Sequence, residues 1–91
     1  MRSDYSVIVE IAGLKPPTTC DLTPAALDAI WAAIRFLPMP RPQHQFLERY
    51  LTGPCAERNI TGYLAANPHL VIPVAGYELR IRWATPEEDP A

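Results

Sequence analysis

The chain has few cysteines and few glycines, which argues against a cysteine-ligated metal site and against a glycine-rich phosphate-binding loop. Its two cysteines, Cys20 and Cys55, form neither a CxxC pair nor a metal-ligand spacing. Its four glycines are scattered, so no loop has the glycine pattern that surrounds a phosphate. We therefore expect no metal and no other cofactor, and we interpret both cysteines as reduced, small, buried hydrophobic residues.

Long hydrophobic runs are also missing. No apolar run approaches the ~18 residues that a membrane-spanning helix needs, and the first residues, MRSDYS, lack the apolar core of a signal peptide. We expect a soluble, cytoplasmic protein with no membrane partner. Because the chain has 91 residues and 48% of them are hydrophobic, we predict a single domain over residues 1–84 and a flexible acidic tail over residues 85–91.

A surplus of positive charge is absent as well. Eight Lys and Arg residues against ten Asp and Glu residues give a formal net charge of −2, whereas a surface that binds DNA is normally basic. Three of the acidic residues, Glu87, Glu88 and Asp89, lie in the predicted tail, so the rest of the chain is close to neutral. The charge balance counts against nucleic acid as a partner without excluding it.

Residues arranged for catalysis are equally scarce. The available nucleophiles and bases are His44, His69, the two cysteines and scattered carboxylates, and no two of them have a recognisable catalytic spacing. We therefore expect neither enzymatic activity nor a small-molecule substrate.

Prolines supply clear boundary signals. Pro24, Pro42 and Pro54 each suit the first turn of a helix, where the missing N–H of proline is not needed. They predict three helices. We interpret Pro16 and Pro17 as the separation between the first strand and the first helix.

Two segments, Tyr5–Ile11 and Tyr77–Trp83, alternate between apolar and polar residues with the period of a β-strand. A third predicted strand, Leu70–Val74, pairs with Tyr77–Trp83 across a two-residue turn at Ala75 and Gly76. Because Pro73 cannot donate a hydrogen bond, Leu70–Val74 is predicted at the edge of the sheet and Tyr77–Trp83 in its middle. The first strand must then pair on the far side of Tyr77–Trp83.

A two-residue hairpin turn joins the last two strands and fixes which residues face each other. It sets Ile72 opposite Leu79, which keeps the apolar side chains on one face of the sheet. On the other face, Glu10 is expected to meet Arg80 or Arg82.

Helix one, predicted over Pro24–Phe36, has two apolar sides. The side with the spacing of a core-facing stripe carries Leu27, Ile30, Trp31 and Ile34. The opposite side carries Ala25, Ala29, Ala32 and Phe36. Either another helix of the same chain covers this second side, or it is the interface of a homodimer or of another partner.

Helices two and three are predicted to be amphipathic. Helix two is expected to turn inward Phe46, Leu47, Tyr50 and Leu51. Helix three, over Cys55–Ala66, is expected to turn inward Ala56, Ile60, Tyr63 and Leu64. Its solvent face is small and nearly flat, and Arg58, Asn59 and Thr61 have the chemistry to reach phosphates or base edges.

A known superfamily shares this order of elements. The helix FLERYL, the turn TGP, the helix AERNITGYLAANP and the hairpin LVIPVAGYELRIRW follow one another as in a winged helix-turn-helix. Over Leu22–Trp83 the chain resembles that superfamily, which implies that Cys55–Ala66 is a recognition helix and that the hairpin is the wing. The predicted fold is α+β with the order β-α-α-α-β-β, a three-helix helix-turn-helix core and a small three-stranded antiparallel sheet.

Two functional hypotheses follow. The first is a small winged-helix-like DNA-binding regulator, dimeric through helix one, whose DNA contacts would come from Arg41, Arg49, Arg58, Asn59, Thr61, Arg80 and Arg82. Whether these residues share one face is left open. The alternative is a non-catalytic protein-interaction module, inhibitor or adaptor that uses the second apolar side of helix one or the flat face of helix three.

Overall fold

The computed structural model describes residues 6–84. Tyr5 of the first predicted strand and the predicted acidic tail lie outside the described residues. In chain order the elements are β1 (Ser6–Ala12), β2 (Lys15–Asp21), α1 (Pro24–Ile34), α2 (Arg41–Thr52), α3 (Ala56–Ala66), β3 (Leu70–Val74) and β4 (Tyr77–Trp83). The strands form an antiparallel sheet in the order β2-β1-β4-β3, and the helices pack on one face of it.

The α+β class and the three helices are confirmed, but the predicted element order and the three-stranded sheet are wrong. Two strands precede the helices, because β2 returns along β1 after a two-residue turn at Gly13 and Leu14. Gly13 has a φ of 91°, a left-handed conformation that suits glycine. The Leu14 N–H donates to the Ile11 carbonyl at 2.8 Å and closes the turn. The order β-β-α-α-α-β-β departs from the predicted winged-helix order.

Strand β2 has no sequence pattern that predicts a strand. It reads KPPTTCD, and all its residues except Cys20 are exposed. Pro16 and Pro17, which we interpreted as a separation, lie inside it. An edge strand tolerates prolines because one of its sides needs no partner. The pairing with β1 is irregular at these prolines, between Thr18 and Lys15, which is the geometry of a β-bulge.

The other strand predictions are confirmed. Strand β3 lies at an edge, β4 lies inside the sheet, and β1 pairs on the far side of β4. Ile72 is opposite Leu79, and Glu10 is opposite Arg80. The β3–β4 turn has positive φ at both Ala75 (50°) and Gly76 (88°), as in a type I′ turn.

The core lies between the sheet and the helices. From the sheet it takes the inward residues of β1 and β4, which are Val7, Val9, Ile11, Leu79 and Ile81. From α1 it takes the whole predicted stripe, Leu27, Ile30, Trp31 and Ile34. The Thr23 hydroxyl caps the start of α1 by accepting from the Ala26 N–H at 3.2 Å. The helix ends at Ile34, two residues earlier than predicted.

Helices α2 and α3 bury fewer residues than predicted. Phe46 and Tyr63 were expected to point inward, but they are 57% and 42% exposed. The buried residues of these helices are Leu47, Leu51, Ala56, Ile60 and Leu64. The helices form one layer on the sheet, and no other element within residues 6–84 packs on the outside of that layer. The aromatic residues that flank the buried residues of α2 and α3 therefore stay at the surface.

The two cysteines differ in exposure. Cys55 is exposed, contrary to its interpretation as a buried residue, and Cys20 is half-buried.

Among residues 6–84, none of the helices combines the length and the apolar character that crossing a bilayer requires.

Candidate interaction surfaces

The outward side of α1 is an exposed apolar surface of the helical layer. It consists of Ala25, Ala29 and Ala32 of α1 together with Phe36, two residues beyond the end of the helix, and we name it the α1 outer face. All four residues are exposed, and Phe36 is 77% exposed. Of the two alternatives for this side, cover by another helix of the same chain is therefore wrong for the described residues. Successive residues of a helix are rotated by ~100°, which places this face directly opposite the buried stripe of α1.

Two charged residues lie along one flank of the α1 outer face. Asp28 and Arg35 are separated by seven positions, about two turns of helix, so they stand on the same side of α1. Neither forms an ion pair with any residue in the described range. The Arg35 guanidinium lies 4.8 Å from the centroid of the Phe36 ring, which holds both side chains at the end of the helix.

The other flank of α1 borders strand β2. A cleft of about 170 Å³ separates them, and its walls include Thr18, Cys20, Ala26, Ala29 and Ala33. Burial raises the pKa of the Cys20 thiol, and the Asp21 carboxylate acts in the same direction. A thiol with a raised pKa remains protonated near neutral pH, so Cys20 lacks the thiolate that a nucleophile needs.

A wider groove lies between the start of α1, the α2–α3 turn and α3. It has a volume of about 650 Å³, and its walls include Pro24, Asp28, Gly53, Arg58 and Thr61. Gly53 ends α2 with a bond from its N–H to the Arg49 carbonyl at 2.9 Å, and its own carbonyl accepts from the Ala56 N–H at 3.1 Å across the α2–α3 turn. A β-carbon on Gly53 would collide with the Arg49 carbonyl.

The seven residues predicted to contact DNA fall into two sets. Arg41, Arg49, Arg58, Asn59 and Thr61 lie on α2 and α3, and all but the half-buried Thr61 are exposed. Arg80 and Arg82 lie on β4. Their neighbours Leu79 and Ile81 point into the core, so the two arginines point to the opposite side of the sheet, away from the helices. The structure does not bring the seven residues to one face.

Arg80 is paired with two carboxylates on the outer sheet face, the side of the sheet away from the helices. Its Nε and Nη2 atoms donate to Glu78 Oε1 at 3.0 and 2.7 Å, and its Nη1 lies 3.8 Å from Glu10 Oε1. The hydrogen bonds to Glu78 raise the pKa of the Arg80 guanidinium, and the charges of Glu78 and Glu10 add to this effect. The predicted approach of Glu10 to Arg80 is confirmed, and an incoming phosphate would compete with both carboxylates.

The rest of the outer sheet face is mixed in character. A cavity of about 370 Å³ lies on it, with walls that include Glu10, His69, Val71, Arg80 and Arg82. Acidic, basic and apolar groups alternate here, so this part of the sheet has no field of one sign.

Helix α2 carries a pair of stacked aromatic residues, and sequence reasoning did not predict that this pair lies at the surface. Phe46 stacks on Tyr50 with ring centroids 5.5 Å apart. Burial raises the pKa of the Tyr50 hydroxyl, and Tyr63 of α3 acts in the same direction. The signal available in the sequence was the i, i+4 spacing of Phe46 and Tyr50, which brings two side chains together on any helix.

The residues available for chemistry are dispersed. The His44 ring packs edge-on against Trp31, with centroids 4.8 Å apart, while His69 borders the cavity on the outer sheet face. Within residues 6–84, no three His, Cys, Asp or Glu side chains are close enough to hold a metal ion.

Comparison with known proteins adds no family: no protein-family model, curated protein or solved structure matches this chain.

Proposed function

We propose that this chain is a non-catalytic protein-interaction module that binds its partner through the α1 outer face. One observation carries the proposal. Opposite the core, α1 turns three alanines to solvent, Phe36 follows two residues after the helix ends, and no part of residues 6–84 covers these side chains.

The composition of the face favours a protein over a nucleic acid. Alanines let a second backbone approach closely, and burying the Phe36 ring removes apolar surface from water, which stabilises a complex by roughly 25 cal/mol per Å². Phosphate contacts need several cations. Beside this face, Arg35 shares one flank with the acidic Asp28, and Lys15 lines the cleft next to Ala29 on the other flank.

Crosslinking from inside the face tests the proposal. Phe36 is replaced by p-benzoylphenylalanine, a photo-crosslinking residue that preserves an aromatic ring, and the protein is irradiated in the cells that produce it. The matched control carries the same replacement at Phe46, which is also an exposed aromatic residue but lies on α2.

The expected result is a discrete crosslinked product from position 36, absent from position 46 and abolished by Ala29→Glu. Mass spectrometry of the product identifies what it contains. Equal products from both positions, or none from position 36, would contradict the proposal.

DNA binding is a second candidate, favoured by one observation on α3. Arg58 and Asn59 are exposed in the first two turns of a helix that follows α2 after a short turn. These residues, with Arg41 and Arg49 of α2, could contact phosphates and base edges. The candidate rests on the helical set of predicted residues, because Arg80 and Arg82 point to the other side of the sheet.

A titration separates the second candidate from the first. Fluorescence polarisation with mixed duplex DNA is measured at low and moderate salt, since phosphate contacts weaken steeply as salt rises. Binding that is lost in Arg58→Ala and unaffected by Ala29→Glu would support the DNA candidate. No binding at about 50 mM salt would refute it.

A further inference from the structure

We infer that the partner of the α1 outer face is a second copy of this chain, bound through the same face with the two α1 helices antiparallel. The inference rests on the proposed function, because it names the partner of that surface. Three properties of the face carry it: the positions of its residues, their sizes and the charges on its flank.

The positions of the four residues are symmetric. Ala29 and Ala32 are equidistant from the midpoint of the face, and so are Ala25 and Phe36. In an antiparallel pair related by a twofold axis, each residue meets its mirror position. Ala29 then meets the partner's Ala32, and Ala25 meets the partner's Phe36. Phe36 lies two residues beyond the end of α1, and the intervening Arg35 has backbone angles in the right-handed helical region (φ −64°, ψ −19°), which keeps Phe36 close to the path of the helix.

The sizes of the residues are complementary in this arrangement. The two central contacts join alanine to alanine, which permits a close approach of the helix axes, about 8 Å for the smallest contacts. The two outer contacts place the large Phe36 ring against the small Ala25 of the partner subunit. Phe36 is 77% exposed in a single copy, and the arrangement covers this ring on both subunits.

The charges on the flank are complementary as well. A twofold axis perpendicular to two antiparallel helices brings the same flank of each helix together, so Asp28 approaches the partner's Arg35. The exact mirror position of Asp28 is Ala33, and Arg35 is two residues further on, an offset of about 3 Å that an arginine side chain can span. Two symmetric ion pairs form between residues that have no ion-pair partner within the described part of one copy.

A parallel arrangement lacks this complementarity. It places the flank with Asp28 and Arg35 against the opposite flank of the partner, where Ala26 and Ala33 lie. Both charges would then remain unpaired. The charges therefore favour the antiparallel arrangement.

Sedimentation velocity with charge-reversed variants tests the inference. The unmodified chain is expected to sediment as a dimer at roughly 100 μM, a concentration suited to a small interface. Asp28→Lys and Arg35→Glu each place like charges at both symmetric contacts, so each is expected to weaken the dimer roughly tenfold or more.

A mixture of the two variants gives the decisive measurement. In a mixed dimer, the new cation at position 28 of one chain meets the new anion at position 35 of the other. The second contact joins the native Arg35 of the first chain to the native Asp28 of the second, so an equimolar mixture is expected to recover the dimer. Asp28→Lys leaves the contact between Arg35 and Phe36 in place, and circular dichroism of each variant verifies that α1 is folded.

A monomer of the unmodified chain at this concentration, single variants that dimerise normally, or a mixture that stays monomeric would each overturn the inference. The two proposals fail separately. A product from position 36 that contains another protein would retain the interaction module while removing the second copy, and no specific product from that position would remove the module itself.

Discussion

The α1 outer face and the outer sheet face are both exposed. They differ in whether their charged groups find ion-pair partners, and their apolar groups find cover, within one copy of the chain. On the sheet, Arg80 is held by Glu78 and Glu10, so its charge is compensated within one copy. On α1, the apolar side chains are uncovered, and Asp28 and Arg35 have no ion-pair partner in residues 6–84. Binding a partner gives little favourable free energy to a surface whose charged groups already pair with one another. It gives more to a surface with unpaired charges and uncovered apolar side chains.

The edge of the sheet supports the same contrast. Strand β2 is an edge strand that would otherwise offer a row of backbone groups to another strand. Lys15, Pro16 and Pro17 lie in it, and prolines and a lysine are residues that discourage edge-to-edge pairing. The sheet is thus protected at this edge, whereas the α1 outer face carries no comparable protection against a second copy.

The largest expected effect comes from a charge at the centre of the α1 outer face. Ala29→Glu places two carboxylates near the twofold axis, where they repel each other, and we expect self-association to weaken by roughly 100-fold. Sedimentation velocity measures the change. The fold should persist, because residue 29 is exposed and glutamate is a good helix former.

Two controls show whether the effect belongs to α1. Ala65→Glu makes the same change at an exposed alanine of α3, and Val71→Glu makes it at an apolar residue of the outer sheet face that is 45% exposed. Neither should alter self-association. If Val71→Glu dissociates the dimer as strongly as Ala29→Glu, the contrast between the two surfaces is wrong.

A smaller effect is expected where the sheet depends on backbone geometry. Gly13→Ala puts a side chain at a φ of 91°, which costs about 1–2 kcal/mol, and its β-carbon would lie 3.1 Å from Tyr77 Cδ1. Urea unfolding should show a lower free energy of unfolding. The loss would confirm that the β1–β2 turn, which the sequence did not predict, contributes to the stability of the sheet.

A second glycine supplies a control, because its replacement by alanine is expected to raise the free energy of unfolding and not to lower it. Gly62 lies in α3, and a β-carbon there would contact nothing within 4 Å. Gly62→Ala is expected to raise the free energy of unfolding by up to ~1 kcal/mol, because alanine favours the helix. Destabilisation by both substitutions would mean that Gly62 has a close neighbour in solution.

The β3–β4 turn offers a stabilising change. Ala75 has a φ of 50°, a conformation that asparagine adopts more readily than alanine, and Asn-Gly is the preferred pair for a type I′ turn. Ala75→Asn is expected to raise the free energy of unfolding by about 0.5–1 kcal/mol. Ala75→Val, a β-branched residue at the same position, should lower it, and urea unfolding compares the two.

Sequence reasoning predicted the elements whose residues follow a period. The buried stripe of α1 depends on helical spacing, and the approach of Glu10 to Arg80 depends on strand alternation. Both are confirmed, as are the positions of β3 and β4, which were predicted from Pro73. Strand β2 was missed because it forms by pairing with β1 and not by burying alternate residues. Its prolines, normally signals of a break, are tolerated because it lies at an edge.

Surface exposure was predicted less well, because it depends on what other elements cover. Periodicity placed Phe46 and Tyr63 on the inward side of α2 and α3, but the helical layer has no second layer within residues 6–84 to bury them. For the α1 outer face the sequence left two alternatives, cover by another helix of the same chain or by a partner. The packing of the helices excludes cover by another helix within residues 6–84.

The smallest expected effect, and the most direct comparison of the two surfaces, comes from removing one arginine from each. Arg35→Gln deletes a cation from both proposed ion pairs, and we expect self-association to weaken by about threefold, the scale of exposed pairs. Arg80→Gln removes a cation that is paired within its own copy, so self-association should not change. Salt sharpens the test, since it screens exposed charges. Raising the salt concentration should weaken the unmodified dimer and the Arg80→Gln dimer by equal factors, and the Arg35→Gln dimer by less. Equal salt dependence of all three would mean that Arg35 forms no ion pair with the partner, and the antiparallel arrangement would lose its electrostatic support.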